Sequence, residues 1–119
     1  MEPGALASYL LVFRDCWRPT QRNSPREIGM LLSKWIEWHD SLDAQGKIRF
    51  RGAIGQEIRR MQRPIGTDRY PVKTDKIDPI VGYLIIDVAN LDEAMKIAAD
   101  CPGLDHGFAV DVCRPFVTE

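Results

Sequence analysis

His39 and His106 are the only imidazoles in this 119-residue chain, and imidazole is the side chain that changes charge nearest neutral pH. His39 falls at helical spacing among apolar residues, one turn from Trp35 and one from Leu42. Burial there would hold it neutral, and a neutral imidazole can take a proton from a substrate carbon or hydroxyl, with Asp75 or Asp111 orienting it. The competing reading is a core histidine bonded to a backbone carbonyl. His106 stands beside Gly107 just before the last expected strand, as a second candidate base or as a turn-stabilising residue. Arg14 and Arg114 close the first and last strands, taken here as adjacent positions. They could hold a carboxylate or phosphate in a shared recess, or form ordinary ion pairs with Asp15 and Asp111. Trp17, Trp35 and Trp38 could line a pocket for a planar ligand. Trp35 fits the core stripe, whereas Trp38 lies off it and suits a ligand or a subunit contact. The candidate set is therefore His39, His106 and Asp75 for proton transfer, and Arg14, Arg114, Trp38 and Tyr83 for binding a small anionic metabolite.

Other chemistries lack their residues. Cys16, Cys101 and Cys113 are widely spaced, with no CxxC and no neighbouring histidine pair, which argues against a disulfide framework or a structural zinc site and for buried thiols. Gly52-Ala53-Ile54-Gly55 is too short for a phosphate loop and is followed by Gln56-Glu57 rather than Lys-Ser/Thr, so no nucleotide cofactor is expected. A composition of 45% hydrophobic and 28% charged residues is that of an ordinary globular protein. No apolar run approaches the roughly 18–20 residues needed to span a bilayer. Met1-Glu2-Pro3-Gly4 lacks the basic start and apolar stretch of a secretory signal, so a cytoplasmic protein is expected. The net charge is −1, but residues 47–76 hold nine Lys/Arg against three Asp/Glu, and residues 77–119 hold two against eight. The basic middle reads as a solvated, arginine-rich hairpin in preference to a nucleic-acid surface, given a whole-chain pI of about 6.1.

The elements that must position these residues follow from apolar period and from cap chemistry. Tyr9 to Phe13 is apolar on both faces, a buried strand within 8–13. Residues 14–23 are polar, carry Pro19 and read as a loop. Ser24-Pro25-Arg26-Glu27 joins an N-cap serine, proline at the first helical position and glutamate at the third. Ile28, Leu31, Leu32, Trp35, His39 and Leu42 then recur at spacings of three and four, and Gly46 offers a left-handed stop, so the spacing predicts a helix over 25–45. Residues 47–53 alternate, with Ile48 and Phe50 set against Lys47, Arg49 and Arg51, as in a strand near a sheet edge with one wet face. A further arm over 57–63 lacks clean alternation, and 64–79, with three prolines, reads as an excursion. From Gly82 to Phe116 the chain spells βαβ. Tyr83 to Val88 is apolar on both faces, Asn90 and Glu93 start a helix, and Cys101-Pro102-Gly103 stops it before the last strand.

The order is βαββαβ, and a chain of this length suits one domain over 1–119. The fold class is α+β: a ferredoxin-like sheet with two helices on one face, because each crossover is right-handed. The opposite face then carries large apolar side chains, at about 1.5–3 kcal/mol for each one left in water. A homodimer with two such sheets face to face is the expected remedy.

Several stretches resemble the YCII-related family, and specifically its DGPF-domain branch. They are Tyr9-Leu10-Leu11-Val12-Phe13-Arg14, the capped helix with Trp35-Ile36-x-Trp38 and closing Gly46-Lys47, Gly82-Tyr83-Leu84-Ile85-Ile86, Leu91-Asp92-Glu93-Ala94, Cys101-Pro102 and Val110-Asp111-Val112-Cys113-Arg114-Pro115. The resemblance spans almost the whole chain and implies a dimeric α+β barrel. It brings no single reaction. Members of that branch include proteins associated with sigma-factor-like regulators, and relatives of the same barrel include small-molecule isomerases and dehalogenating enzymes. Where the branch carries Thr-Asp-Gly-Pro-Phe, this chain has Thr74-Asp75-Lys76-Ile77-Asp78-Pro79, which keeps the aspartate and loses the glycine-proline turn. The family's better-studied branch uses a helix-1 histidine with a nearby aspartate. Aligned on Gly46, Trp35 falls near that histidine's place and Ala44 near the aspartate's, so His39 does not simply inherit the role.

Two functions remain from different classes: a cofactor-independent enzyme acting by acid–base proton transfer on a small anionic metabolite, and a non-catalytic module that binds a metabolite or a protein, linked to transcriptional regulation. An RNA-recognition module shares the element order but needs exposed aromatics in a basic-Gly-aromatic pattern. Gly82-Tyr83-Leu84-Ile85-Ile86 does not supply it.

Overall fold

The computed structural model describes residues 5–16, 24–54, 61, 63 and 79–115. Most of the anticipated arm over 57–63 and of the loop over 64–79, with Asp75 and Trp17, lies outside the described residues.

The elements are β1 (Ala7–Asp15), α1 (Pro25–Ala44), β2 (Ile48–Ala53), β3 (Ile80–Val88), α2 (Leu91–Ala99), a 3-10 helix (Pro102–His106) and β4 (Phe108–Cys113). The strands form one antiparallel sheet in the order β2-β3-β1-β4, the ferredoxin-like βαββαβ arrangement expected from the sequence. No helix among the described residues is long and apolar enough to cross a membrane.

Local chemistry sets the helix ends. Ser24 Oγ accepts from the Glu27 N–H at 3.2 Å and Glu27 Oε1 accepts from the Ser24 N–H at 3.3 Å, so two otherwise unpaired donors are satisfied at the start of α1. Gly46, at φ 69°, turns the chain out of the helix. In α2, Asn90 Oδ1 accepts from the Glu93 N–H at 2.9 Å. Glu93 reaches back one residue further than a standard capping box, to the Ala89 N–H at 2.8 Å, and pairs with Lys47 at 3.3 Å. Those two partners, in that order, hold the Glu93 carboxyl below the usual range.

The core lies between the sheet and its helices. Leu11, Leu84, Ile86 and Val88 are fully buried, with Tyr9, Phe13, Leu42, Ala94, Ile97, Ala98 and Cys101 around them. Each large side chain removed from water there contributes about 1.5–3 kcal/mol. Leu11 sits opposite Leu84, and Tyr9 opposite Ile86. Alternation therefore sends Leu10, Val12, Tyr83 and Ile85 to the other face.

Three expectations change. Ile48 and Phe50 do not share a face, because β2 bulges at Arg49: Ile48 pairs with Ile86 and Phe50 with Ile85, so Phe50 swings to the open face and is 60% exposed. Of the three cysteines only Cys101 is buried, and desolvation pushes its thiol up to about 11. Cys113 follows the open-face alternation of β4, opposite Leu10, and Cys16 lies just past the end of β1, both exposed. Ile28 and Leu32 on the α1 stripe are 45% and 56% exposed, and Ile36 beside it is 60% exposed, so only the more central line through Leu31 and Leu42 is buried.

Gly103 of the 3-10 helix packs against α1 so closely that an added Cβ would run into the Trp35 ring and come within 3.1 Å of Phe108 Cβ. Gly103→Ala should therefore destabilise the protein by about 1–3 kcal/mol. Gly29→Ala, on an exposed helical position with nothing within 4 Å of the new methyl, should stabilise it by up to about 1 kcal/mol. Urea unfolding midpoints of the two variants should move in opposite directions.

Candidate functional site

Between α1 and the sheet lies a cavity of about 520 Å³, a size that suits a small organic ligand. Its roof is the α1 stripe, Ile28, Leu31, Leu32, Trp35 and His39, with Ile36 beside it, and its floor is Phe13, Val81, Gly82, Gly52 and Ala53. Residues near the β1 and β4 ends close it, namely Asp15, His106 and Phe108. The space exists because large residues stand on one side and small ones on the other. The Phe13 ring meets Trp35 edge-on at 5.2 Å and Trp38 at 5.9 Å, and Trp35 meets Phe108 at 5.5 Å. These edge contacts hold α1 a ring's width from β1. Beyond them Gly82 and Ala53 raise nothing into the gap. The exposed Ile28, Leu32 and Ile36 mark its open mouth.

His39 and His106 both line this cavity, although 67 positions separate them in the chain. His39 lies against Trp38, with ring centroids 5.4 Å apart, and near Phe13 at 6.4 Å. Its Nε2 is buried with no hydrogen-bond partner among the described residues. A core histidine normally has such a partner. Burial first, and then the positive charge of Arg51, lower its pKa below 6.5, while the neighbouring Asp40 pulls the other way. His106 ends the 3-10 helix, and Gly107 follows in the left-handed conformation at φ 85°.

The remaining candidates are elsewhere. Arg14 and Arg114 do not share a recess: β1 and β4 run antiparallel, so Arg14 stands opposite Ala109 while Arg114 follows Cys113, which pairs with Leu10 at the other end. Arg14 Nε donates to Asp111 Oδ2 at 2.6 Å on the open face of the sheet, which also removes Asp111 as an orienting partner for His39. Arg114 lies over the Tyr9 ring, 5.5 Å from its centroid, and donates to the Tyr9 hydroxyl at 3.4 Å. Trp38 is half-buried against the core, and Tyr83 is on the open face, covering Gly52, whose added Cβ would collide with its ring. Neither is among the cavity walls.

The sequence reading missed Asp15 and the small floor residues. Asp15 was legible in principle, since alternation puts it on the same face as Phe13 and Leu11. The face that Arg51 takes was not, because the Arg49 bulge reverses it.

No protein-family model matches this chain, and no curated protein matches it. Among solved structures the chain is similar to 5-chloro-2-hydroxyhydroquinone dehydrochlorinase (TftG) from Burkholderia phenoliruptrix in complex with 2,5-dihydroxybenzoquinone. The TM-score is 0.50 at 19% identity, over 93% of this chain and 95% of that one. At that identity the likeness is one of fold.

A histidine held neutral by folding has a stated pH signature. The folded pKa lies below the unfolded value of 6.5, so the unfolded chain takes up the proton first as pH falls. The stability contributed by neutral His39 is fully present above about 6.5 and is lost as pH drops from there to the folded pKa. His39→Gln should unfold with a smaller drop in urea midpoint between pH 7.5 and pH 5.5 than the parent protein. Equal drops would mean that His39 is solvated.

Proposed function

We propose that the cavity beneath α1 binds a small anionic metabolite with a largely apolar body and that His39 acts there as a base in cofactor-independent proton transfer. His106 and Asp15 are placed in this scheme at the other end of the bound molecule. The observation that carries the reading is the unpartnered, buried Nε2 of His39 at an apolar cavity wall. An acceptor left without a donor costs about 1–3 kcal/mol, and a ligand hydroxyl or acidic C–H would supply what is missing. A neutral imidazole is also the form that can accept a proton near pH 7. The likeness to TftG adds a fold that, in that protein, is seen in complex with a quinone. The DGPF branch of the YCII-related family is proposed as the chain's family, on the motifs quoted above together with the βαββαβ order. The second reading, a binding module without turnover, has the same cavity and the same exposed mouth in its favour.

2,5-Dihydroxybenzoquinone serves as the probe. It should bind wild-type protein with one site per chain by calorimetry, and His39→Ala should bind it at least tenfold more weakly. Protein-dependent exchange of its ring hydrogens into deuterated water, followed by proton NMR and lost in His39→Ala, would support the enzyme. Binding without exchange would support the module, and no binding would overturn the ligand reading.

The partner proposed for the open sheet face is a second copy of the chain. Leu10, Val12 and Ile85 are half-buried there, with Tyr83 and the 60%-exposed Phe50 beside them. The Arg14–Asp111 pair flanks this apolar centre, as do Ser8 and Arg49 around Asp87, an apolar patch with a polar rim. Light scattering should give twice the chain mass of 13.5 kDa, and Leu10→Glu with Ile85→Lys should give a folded species of one chain mass. A wild-type monomer at micromolar concentration would end this proposal.

A further inference from the structure

The proposed site lacks the cation assigned to it from the sequence, since Arg14 and Arg114 are both away from the cavity. We infer that Arg51 is the anion-recognising residue of this cavity, so that its ligand is a small planar acid whose ionised group lies at the β2 edge beside His39. The inference rests on the ligand reading above and deepens it.

The register places Arg51. Without the bulge at Arg49, regular alternation from Ile48 would carry Phe50 to the helix side and Arg51 to the open face. With the bulge, Arg51 pairs with Leu84, a core residue that faces the helices, and Phe50 is turned out. The two residues that follow it, Gly52 and Ala53, are part of the cavity wall, and Arg51 itself is exposed next to them, outside the wall. The exchange turns a phenyl ring to the open face and leaves an exposed guanidinium on the helix side of β2, next to the cavity wall. A ligand anion at the gap supplies a reason.

The charge pairing points the same way. The strands carry three arginines, Arg14, Arg49 and Arg51. Arg14 is 2.6 Å from Asp111, and Arg49 is 3.9 Å from Asp87 while also donating to Ser8. Arg51 has no carboxylate partner among the described residues. Its charge is nonetheless felt at His39, where it adds to burial in keeping the ring neutral.

Leu11, Leu84 and Arg51 form one rung across three strands, and Asp15 stands four residues further along β1, about 13 Å away along the strand. An anionic head is favoured at the Arg51 end, with Phe13 and the α1 stripe along the apolar body. A guanidinium can grip a carboxylate or an ionised ring hydroxyl through two parallel N–H groups.

Benzoate and benzamide separate the charge from the shape, since both are planar, of nearly equal size, and differ in ionisation. At pH 7.5, calorimetric titration of the full chain should show benzoate bound at least tenfold more tightly than benzamide. Arg51→Gln should erase that preference by weakening benzoate while leaving benzamide unchanged, Arg51→Lys should keep part of it, and Arg49→Gln should keep all of it. Because the readout is a ratio measured on one folded protein, a general loss of stability does not imitate it. An equal preference in wild type and Arg51→Gln, or none in wild type, would overturn the role of Arg51 while leaving the cavity a ligand site. If neither probe binds wild type at millimolar concentration, the ligand reading fails and the role of Arg51 fails with it.

Discussion

The spacing between α1 and the sheet governs this structure, and aromatic edges set it. Phe13 on β1, Trp35 and Trp38 on α1 and Phe108 on β4 meet edge-on at 5.2–5.9 Å, and rings in that geometry cannot be compressed without losing contact. Gly103 lets the 3-10 helix approach the Trp35 ring from the other side. The helix is thereby fixed at one distance, and the smallness of Gly82 and Ala53 turns that distance into a cavity. A leucine or isoleucine at those floor positions would have closed the layer into ordinary core.

The arrangement has a cost that falls on the same helix. Ile28, Leu32 and Ile36 remain about half in water, and each forgoes part of the roughly 1.5–3 kcal/mol that full burial would contribute. The His39 ring is desolvated without a partner for Nε2 among the described residues. Apolar exposure and an unsatisfied acceptor within one recess are hard to reconcile with selection for stability alone.

The two faces of the sheet divide the electrostatics as well as the packing. Charges on the open face are matched across neighbouring strands, Arg14 to Asp111 and Arg49 to Asp87. On the helix side, Asp15, His39 and His106 line an apolar recess, and Arg51 is on the same face of the sheet, exposed beside Gly52 and Ala53. One bulged residue, Arg49, decides which of these groups belongs to which face.

Much of the fold was legible in the chain. Ser24-Pro25-Arg26-Glu27 and Asn90 announce helix starts because caps are local hydrogen-bond chemistry, and Gly46 marks a stop because few other residues take its backbone conformation. Two-sided apolar runs gave β1 and β3, and the element order gave the βαββαβ topology. The site was only half legible. His39 and His106 could be named as candidates from residue type, but nothing local puts them on one cavity, and Arg14 and Arg114 looked adjacent until antiparallel pairing put them at opposite ends. Composition and period thus determined which elements form and in what order, since those depend on interactions a few residues long. Register, the Arg49 bulge and the height of α1 above the sheet were decided only in the tertiary structure, because they depend on which rings and which rungs meet across the whole chain.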